Sequence, residues 1–140
     1  MARARAGFGA TGLVIGLALG GCAVAPGVVA SEPSGTGPVN CGRVALGQGG
    51  PAVPAQQLAC FEAGAREGRT TTLVVVRPTT EGDGIVTTYT ASDADEVAVV
   101  VDATADAFAG TGAGITSQTC RYTVTTTEIE LRECTEPTSV

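Results

Sequence analysis

The sequence predicts an α+β fold for residues 40–140, with one helix packed on a four- to five-stranded antiparallel sheet and two disulfide bonds. Three observations indicate this fold. One segment has helical apolar spacing, several β-branched and threonine-rich segments alternate with turns that contain Gly and Asp, and four cysteines lie in the same region. At 140 residues, the chain is long enough for one compact domain.

Residues 1–21 have the features of a bacterial signal peptide. Arg3 and Arg5 precede an apolar run from Gly7 to Leu19. This run of about thirteen residues fits the apolar core of a signal peptide and is shorter than the roughly 20 residues that a membrane-spanning helix needs. We therefore expect the mature protein to lack this segment.

The apolar run ends in Leu19-Gly20-Gly21-Cys22, which resembles the lipobox of bacterial lipoproteins. The resemblance implies that Cys22 carries a diacylglyceryl thioether, that cleavage after Gly21 exposes it as the new N-terminus, and that its amine is then acylated. Two acyl chains anchor a protein stably, because each buried methylene contributes about 0.8 kcal/mol. The alternative is an ordinary secreted protein cut near Ala23-Val24-Ala25.

A flexible tether is predicted after the signal peptide. Residues 22–39 are rich in Pro, Gly, Ser and Ala and have no apolar period. The lipid and the tether together predict a domain at the extracytoplasmic face of the cell membrane. The membrane is then one predicted partner, through the lipid anchor.

Four cysteines remain besides the predicted lipid site, and outside the cytoplasm four cysteines indicate two disulfides. They are Cys41, Cys60, Cys120 and Cys134. We favour the pairs Cys41–Cys60 and Cys120–Cys134 because each closes a short loop, although the other two pairings stay open. On the chain-entropy model, each such loop contributes on the order of 3 kcal/mol. Zinc binding is the competing interpretation, and the lack of any C-x-x-C pair argues against it.

The predicted helix begins at Pro54, which suits a first helical turn, and ends before Gly68. Its apolar positions share one face. They are Leu58, Phe61 and Ala65. Gly64 and the small size of the apolar residues indicate that the helix packs closely on a sheet.

Five strands are predicted after the helix. They cover residues 70–77, 85–90, 97–101, 119–125 and 128–133. The first has a continuous apolar centre, as expected when both of its faces are covered. Turns at 81–84 and 92–95 join the first three strands into a meander.

The last two strands form a hairpin with two conflicting constraints. A plain ladder that brings Cys120 opposite Cys134 pairs Val124 with residue 130. The apolar alternation pairs Val124 with Ile129 instead. A one-residue bulge, or a strand that ends before Cys134, would satisfy both.

The candidate functional residues are four acidic side chains in two stretches. They are Glu81, Asp83, Asp102 and Asp106. The first stretch, T-x-E-G-D from Thr79, and the second, D-x-x-x-D-x-F-x-G, resemble the motifs of a family of small bacterial lipoproteins of unknown function. The resemblance covers about residues 68–134. It implies that the first motif joins two strands and that the second follows the third strand. It implies no mechanism, because the family has no assigned activity. That family commonly has proline where this chain has Gly84, so a looser turn is expected.

Three interpretations of the acidic stretches are open. The simplest is turn chemistry, with Gly82 at positive φ and Asp83 bonded to local amides. Calcium binding would use oxygens of Asp102, Thr104 and Asp106, but the glycine and the glutamate of an EF-hand loop are missing, so no metal site is predicted. Glycoside hydrolysis would use two carboxylates about 5–10 Å apart, in a domain poorly supplied with aromatic rings.

Phe108 lies in the second acidic stretch. We expect its ring to be buried in the core, where it would anchor the loop, and not to serve as an exposed recognition residue.

The composition excludes several functions. The chain has 14 Asp and Glu residues against 8 basic residues, all of them arginine, and it has no His, Lys or Trp. Imidazole bases, Ser-His and Cys-His nucleophiles, Schiff-base lysines and P-loops are therefore absent from this chain. The formal net charge of −6 argues against nucleic acid. We therefore expect a binding module without a cofactor and without enzymatic activity, whose partner is an envelope protein or ligand. The alternatives are a small carboxylate-dependent hydrolase and a calcium-stabilised structural domain.

Overall fold

The computed structural model describes residues 35–49, 52–110 and 113–140, which form seven strands and one helix. In chain order they are β1 (Val39–Ala45), α1 (Ala55–Arg66), β2 (Thr71–Pro78), β3 (Gly84–Ala91), β4 (Glu96–Asp102), β5 (Ile115–Val124), β6 (Ile129–Arg132) and β7 (Thr138–Ser139). The predicted signal peptide, the lipid site at Cys22 and tether residues 22–34 lie outside the described residues.

All seven strands belong to one sheet, which runs from β1 to β6 in sequence order. Strand β1 is parallel to β2, and the other neighbours are antiparallel. Strand β7 pairs with the first half of β5, and β6 pairs with its second half. The chain passes through α1 between β1 and β2, as a parallel pair requires a crossover connection.

The predicted fold class, α+β with a four- to five-stranded antiparallel sheet, is wrong. The protein is mostly β, and its sheet is mixed and curled, with one short helix. Strand β1 accounts for the error. It begins at Val39, the last residue of the predicted tether, and no strand was predicted over 40–45. Gly42, at φ 92°, interrupts the β pattern with a bulge.

The core lies on the side of the sheet that α1 covers. Its side chains are mainly small and aliphatic: Val44, Val53, Leu58, Ala65, Leu73, Val75, Ala91, Val97, Val99 and Ile129. Two aromatic rings complete it, because Phe61 and Tyr122 meet edge to face with centroids 5.8 Å apart. The sheet curls around this core. The segment before α1 then meets the β5–β6 turn, where the Val53 N–H donates to the Thr127 carbonyl oxygen at 3.0 Å.

Two disulfide bonds hold the structure, and they are the pairs that the sequence favours. Cys41 of β1 is joined to Cys60 of α1, and Cys120 of β5 is joined to Cys134. The first bond fixes the helix to the sheet edge. The second bond closes the end of the β5–β6 hairpin.

The conflict in the hairpin is resolved by the early end of β6. Val124 pairs with Ile129, as the apolar alternation requires, and β6 ends at Arg132. Glu133 then takes a left-handed conformation with φ 48°, which brings Cys134 to Cys120. The second predicted solution therefore occurs: the strand ends before Cys134, and the ladder itself has no bulge.

The helix packs on the sheet at Gly64, as the sequence predicts. The residue is buried against Thr71, and a Cβ atom at position 64 would collide with the Thr71 hydroxyl oxygen. That hydroxyl is fixed, because it donates to the Arg69 carbonyl oxygen at 2.9 Å and its side chain is fully buried. The contact distance between α1 and β2 is thus set by the absence of a side chain.

Changing Gly64→Ala should destabilise the domain by about 1–3 kcal/mol, because an added methyl group overpacks this contact. The change would otherwise be favourable by up to about 1 kcal/mol, since alanine is the better helix former. Urea unfolding should show a lower midpoint for the variant. In a Thr71→Ala background the penalty should shrink, and an equal penalty in both backgrounds would show that the Thr71 side chain is not the cause.

Candidate functional site

The four predicted acidic residues come to one end of the sheet. Glu81 and Asp83 lie on the β2–β3 turn, and Asp102 and Asp106 lie at the end of β4 and in the segment after it. Glu81 is exposed, whereas the other three are half-buried. The structure therefore brings the two stretches together, as the sequence indicates.

Three of these carboxylates hold loop backbone in place. Asp102 accepts hydrogen bonds from the Thr104 N–H at 3.0 Å and from the Thr104 hydroxyl at 2.6 Å. Asp106 accepts a bond from the Phe108 N–H at 2.9 Å. Asp83 reaches across to the other stretch, where it accepts the Ala107 N–H at 3.0 Å. The carboxylates are thus used to build the loops.

The β2–β3 turn has the glycine conformation predicted for it, whereas the Asp83 carboxylate bonds to Ala107 of the other stretch and not to the local amides that were predicted. Gly82 has a φ of 100°, which favours glycine, and the Thr79 hydroxyl accepts a bond from the Asp83 N–H at 3.1 Å. Gln48, in the segment after β1, donates to the carbonyl oxygens of Thr79 and Thr80 at 2.6 and 2.7 Å. Side-chain hydrogen bonds therefore connect three loops at this end of the sheet.

Hydrogen bonding lowers the pKa of Asp102 below its ordinary value. The Thr104 hydroxyl makes the largest contribution, and the Thr104 backbone N–H adds to it. The charged form of Asp102 is therefore the form that this loop stabilises.

Neither a metal-binding cluster nor a place in the two cavities of the groove described below is found for the four acids within the described residues. Among residues 35–49, 52–110 and 113–140, no group of three or more Cys, Asp or Glu side chains is placed to hold a metal ion. The two cavities described below are not lined by any of the four predicted carboxylates. The acids therefore do not face either of these cavities.

Phe108 is not a core residue, so the expectation of a buried ring is wrong. Its side chain is 74% exposed. The physical reason is that Asp83 and Asp106 hold the backbone of this loop through Ala107 and Phe108 N–H groups, so that the ring is not needed as an anchor. The loop displays an aromatic side chain to solvent.

A groove that the sequence did not predict lies between α1 and the end of β5; we call it the α1–β5 groove. It consists of two adjoining cavities of about 270 and 170 Å³. Helix residues on its wall include Ala55, Leu58, Ala59, Glu62 and Arg66, and the facing residues include Asp95, Tyr122, Val124, Thr125 and Arg132. These residues are ordinary in type and far apart in sequence, so no sequence motif marks them.

Charges are concentrated at one end of the groove. Arg66 is paired with Glu62 at 2.6 Å, and Asp95 is paired with Arg121 at 3.4 Å. Arg132 donates to the Thr123 hydroxyl, and among the described residues it is paired with no carboxylate. In the described part of the chain, Arg132 is thus the cation at this end of the groove that has no acidic partner.

The end wall of the groove is rigid. The Asp93 carboxylate accepts the N–H groups of Asp95 and Glu96, both at 2.8 Å, and these two bonds lower the pKa of Asp93. The Tyr122 hydroxyl donates to the Asp93 carbonyl oxygen at 2.9 Å, and burial raises the pKa of Tyr122. The β3–β4 turn is therefore held from inside by its own carboxylate and from β5 by a tyrosine.

Comparison with known proteins identifies no relative: no family model, no curated protein and no solved structure matches this chain. Within the described part of the chain, no helix has the length and apolar character required to span a membrane.

Changing Asp102→Asn should lower stability at neutral pH and have less effect in acid. The folded-state pKa of Asp102 is lowered, so its contribution is present above the unfolded value of about 3.9 and is lost as the pH falls through the folded value. The effect should be small beside that of a core substitution, because Asp102 is only half-buried and its hydrogen bonds with Thr104 are exposed to solvent. Urea unfolding of both proteins between pH 7 and pH 2 measures the difference.

The matched control for this prediction is Glu81→Gln, because the Glu81 side chain is exposed and makes no hydrogen bond or ion pair within the described residues. It should leave stability unchanged at every pH. A difference between Asp102→Asn and wild type that stays constant down to pH 2 would show that charge on Asp102 is not the cause.

Proposed function

We propose that this protein is a lipid-anchored component of the bacterial cell envelope that binds another molecule and does not catalyse a reaction. The sequence Leu19-Gly20-Gly21-Cys22 supports the anchor. The disulfides support the compartment, because they use four of the five cysteines and disulfides persist outside the cytoplasm. The fifth cysteine is the one in the lipobox.

The observation that carries the binding role is the exposed ring of Phe108. Large aromatic side chains contribute much of the free energy at protein interfaces. The loop is ordered by hydrogen bonds from Ala107 and Phe108 to carboxylates, so the ring is presented on a fixed backbone. A fixed backbone reduces the entropy that binding would cost.

The charge around Phe108 suggests the chemistry of the partner. The two stretches 79–84 and 102–110 contain four acidic residues and no basic residue. A partner with an apolar pocket bordered by Arg or Lys would complement both the ring and its acidic surroundings. The hydrolase and calcium alternatives have less support, because three of the acids already accept backbone hydrogen bonds.

Lipid attachment is tested by metabolic labelling with a palmitate analogue. The wild-type protein should incorporate label, and Cys22→Ala should lose essentially all of it, because no other thiol is then available at the lipobox. Ser31→Ala, in the predicted tether, is the control and should label like wild type. Label retained by Cys22→Ala, or a purified wild-type protein whose mass still includes residues 1–21, contradicts the proposal.

The contact surface is tested in cells with a photoreactive phenylalanine analogue placed at position 108 of the full chain. We expect a discrete cross-linked product, and we expect Phe108→Ala to weaken the interaction with the partner so identified at least tenfold. Its unfolding free energy should change by less than about 0.5 kcal/mol, since the ring is exposed.

Position 140 is the matched control for cross-linking, because within the described residues Val140 is the other large apolar side chain that is well exposed, at 81%. The same analogue there should give no such product. Equal products from positions 108 and 140, or a partner affinity that Phe108→Ala leaves unchanged, would remove the binding role of this loop.

A further inference from the structure

The geometry points to a second binding site, and we propose that the α1–β5 groove takes the C-terminal tail of a partner protein as an added β-strand. The tail would lie antiparallel to β5, beside Val124, with its terminal carboxylate toward Arg132. This site is separate from Phe108, and it deepens the proposed binding role by assigning a class of ligand.

The first observation is an unpaired stretch of backbone on β5. Strand β4 pairs with β5 only as far as Glu96 opposite Arg121, and one further bond joins the Tyr122 N–H to the Asp95 carbonyl oxygen at 3.3 Å. Backbone N–H and C=O groups alternate in direction along a strand, so those of Val124 point to the same side as those of Tyr122. Among the described residues, no strand occupies that side of Val124.

At this end of β5, the other side of the strand is paired with β6, which agrees with this direction. Strand β6 pairs with β5 through Val124, and the Thr125 N–H donates to the Glu128 carbonyl oxygen at 2.9 Å. The backbone groups of Thr123 and Thr125 therefore face β6, and those of Val124 face the groove. A free strand edge of this kind pairs with an extended peptide.

The size of the groove fits a short strand. The segment from Tyr122 to Thr125 spans roughly 14 Å at about 3.4 Å per residue. Within it, the backbone groups of Val124 face the groove without a strand partner among the described residues. The cavity beside Val124 and Thr125 has a volume of about 170 Å³ and is bounded by Ala55, Leu58 and Ala59 of the helix. Two small helix residues leave room for a side chain of the size of valine or threonine opposite Val124.

The direction and the end of the peptide follow from the closed end of the groove. An antiparallel segment would continue the line of β4 and would meet the β3–β4 turn at Ala94 and Asp95, which line the cavity of about 270 Å³. A peptide that ends at this turn would not have to bend around Ala94 and Asp95. Arg132 lines the same cavity without an acidic partner among the described residues, whereas both acids of that cavity are already paired with arginines. A carboxylate therefore fits this end better than an ammonium group.

The test uses the full chain and a fluorescent heptapeptide pool with random small and β-branched residues at its last four positions. One pool has free carboxylate ends and the other has amidated ends. We expect the carboxylate pool to bind at least tenfold more tightly by fluorescence anisotropy. Arg132→Gln should remove that preference. Arg43→Gln is the matched control that should keep it, because Arg43 is an exposed residue of β1.

The strand pairing is tested by Val124→Pro, which removes the N–H that would donate to the peptide. It takes no bond from the β5–β6 ladder, because this N–H faces the groove, so the variant should fold. Binding should fall at least tenfold. Ala59→Phe, which fills the groove from the helix, is the second variant and should have the same effect. Hydrogen exchange at the Val124 amide of the wild-type protein should slow when the peptide pool is added.

Several results would overturn the proposal. They are equal binding of the two pools, no binding of either, and full binding by both Val124→Pro and Ala59→Phe. Self-association of the chain that Ala59→Phe abolishes would assign the groove to a second copy instead. Phe108→Ala should leave peptide binding unchanged, so failure of the groove and failure of the Phe108 surface are seen separately.

Discussion

The close packing of α1 on the sheet is the constraint on which the rest of the structure depends. Gly64 lets the helix backbone approach Thr71, and the Cys41–Cys60 bond fixes the helix to β1. A chain with only three Phe, two Tyr and no Trp has few large side chains for its core, so close approach and cross-links replace bulk. Once α1 is fixed, β1 and β2 are parallel neighbours, and the remaining strands curl around the helix. The β5–β6 turn then reaches the segment before α1, where Val53 is bonded to Thr127.

Much of this structure follows from local pattern. The predicted helix over 54–67 is α1, five predicted strands match β2 to β6 within a few residues at their ends, and both disulfides join the favoured pairs. These features depend on short-range spacing, which a sequence records. Strand β1 does not, because it pairs across a helix with β2 and its pattern is broken at Gly42, where Asn40 accepts the Gly42 N–H at 2.9 Å. Missing that strand made the predicted sheet purely antiparallel and too small.

The acidic end was predicted in position but only partly in role. Asp83 was expected to bond local amides, and Asp106 was considered as a calcium ligand. Both carboxylates instead hold the backbone of the Phe108 loop. This explains why the burial of Phe108 was predicted wrongly: an apolar residue in a glycine- and alanine-rich loop looks like an anchor when the anchors are in fact carboxylates. The α1–β5 groove had no sequence signal at all. The groove exists because the side chains of Ala55 and Ala59 are small. It also exists because β5 continues to Val124, whereas its pairing with β4 stops at Arg121.

The point at which β4 begins is itself fixed by hydrogen bonds. Asp93 accepts the N–H groups of Asp95 and Glu96, and the Tyr122 hydroxyl holds the Asp93 carbonyl oxygen. Tyr122 also packs on Phe61 of the helix. The helix, the end of β5 and the β3–β4 turn, which together surround the groove, are therefore connected through this tyrosine. A free strand edge in such a setting is held in the conformation that a strand partner requires, so pairing would cost little ordering of this protein. The same buried tyrosine that completes a core poor in aromatic rings thus keeps the groove open and shaped for an extended chain.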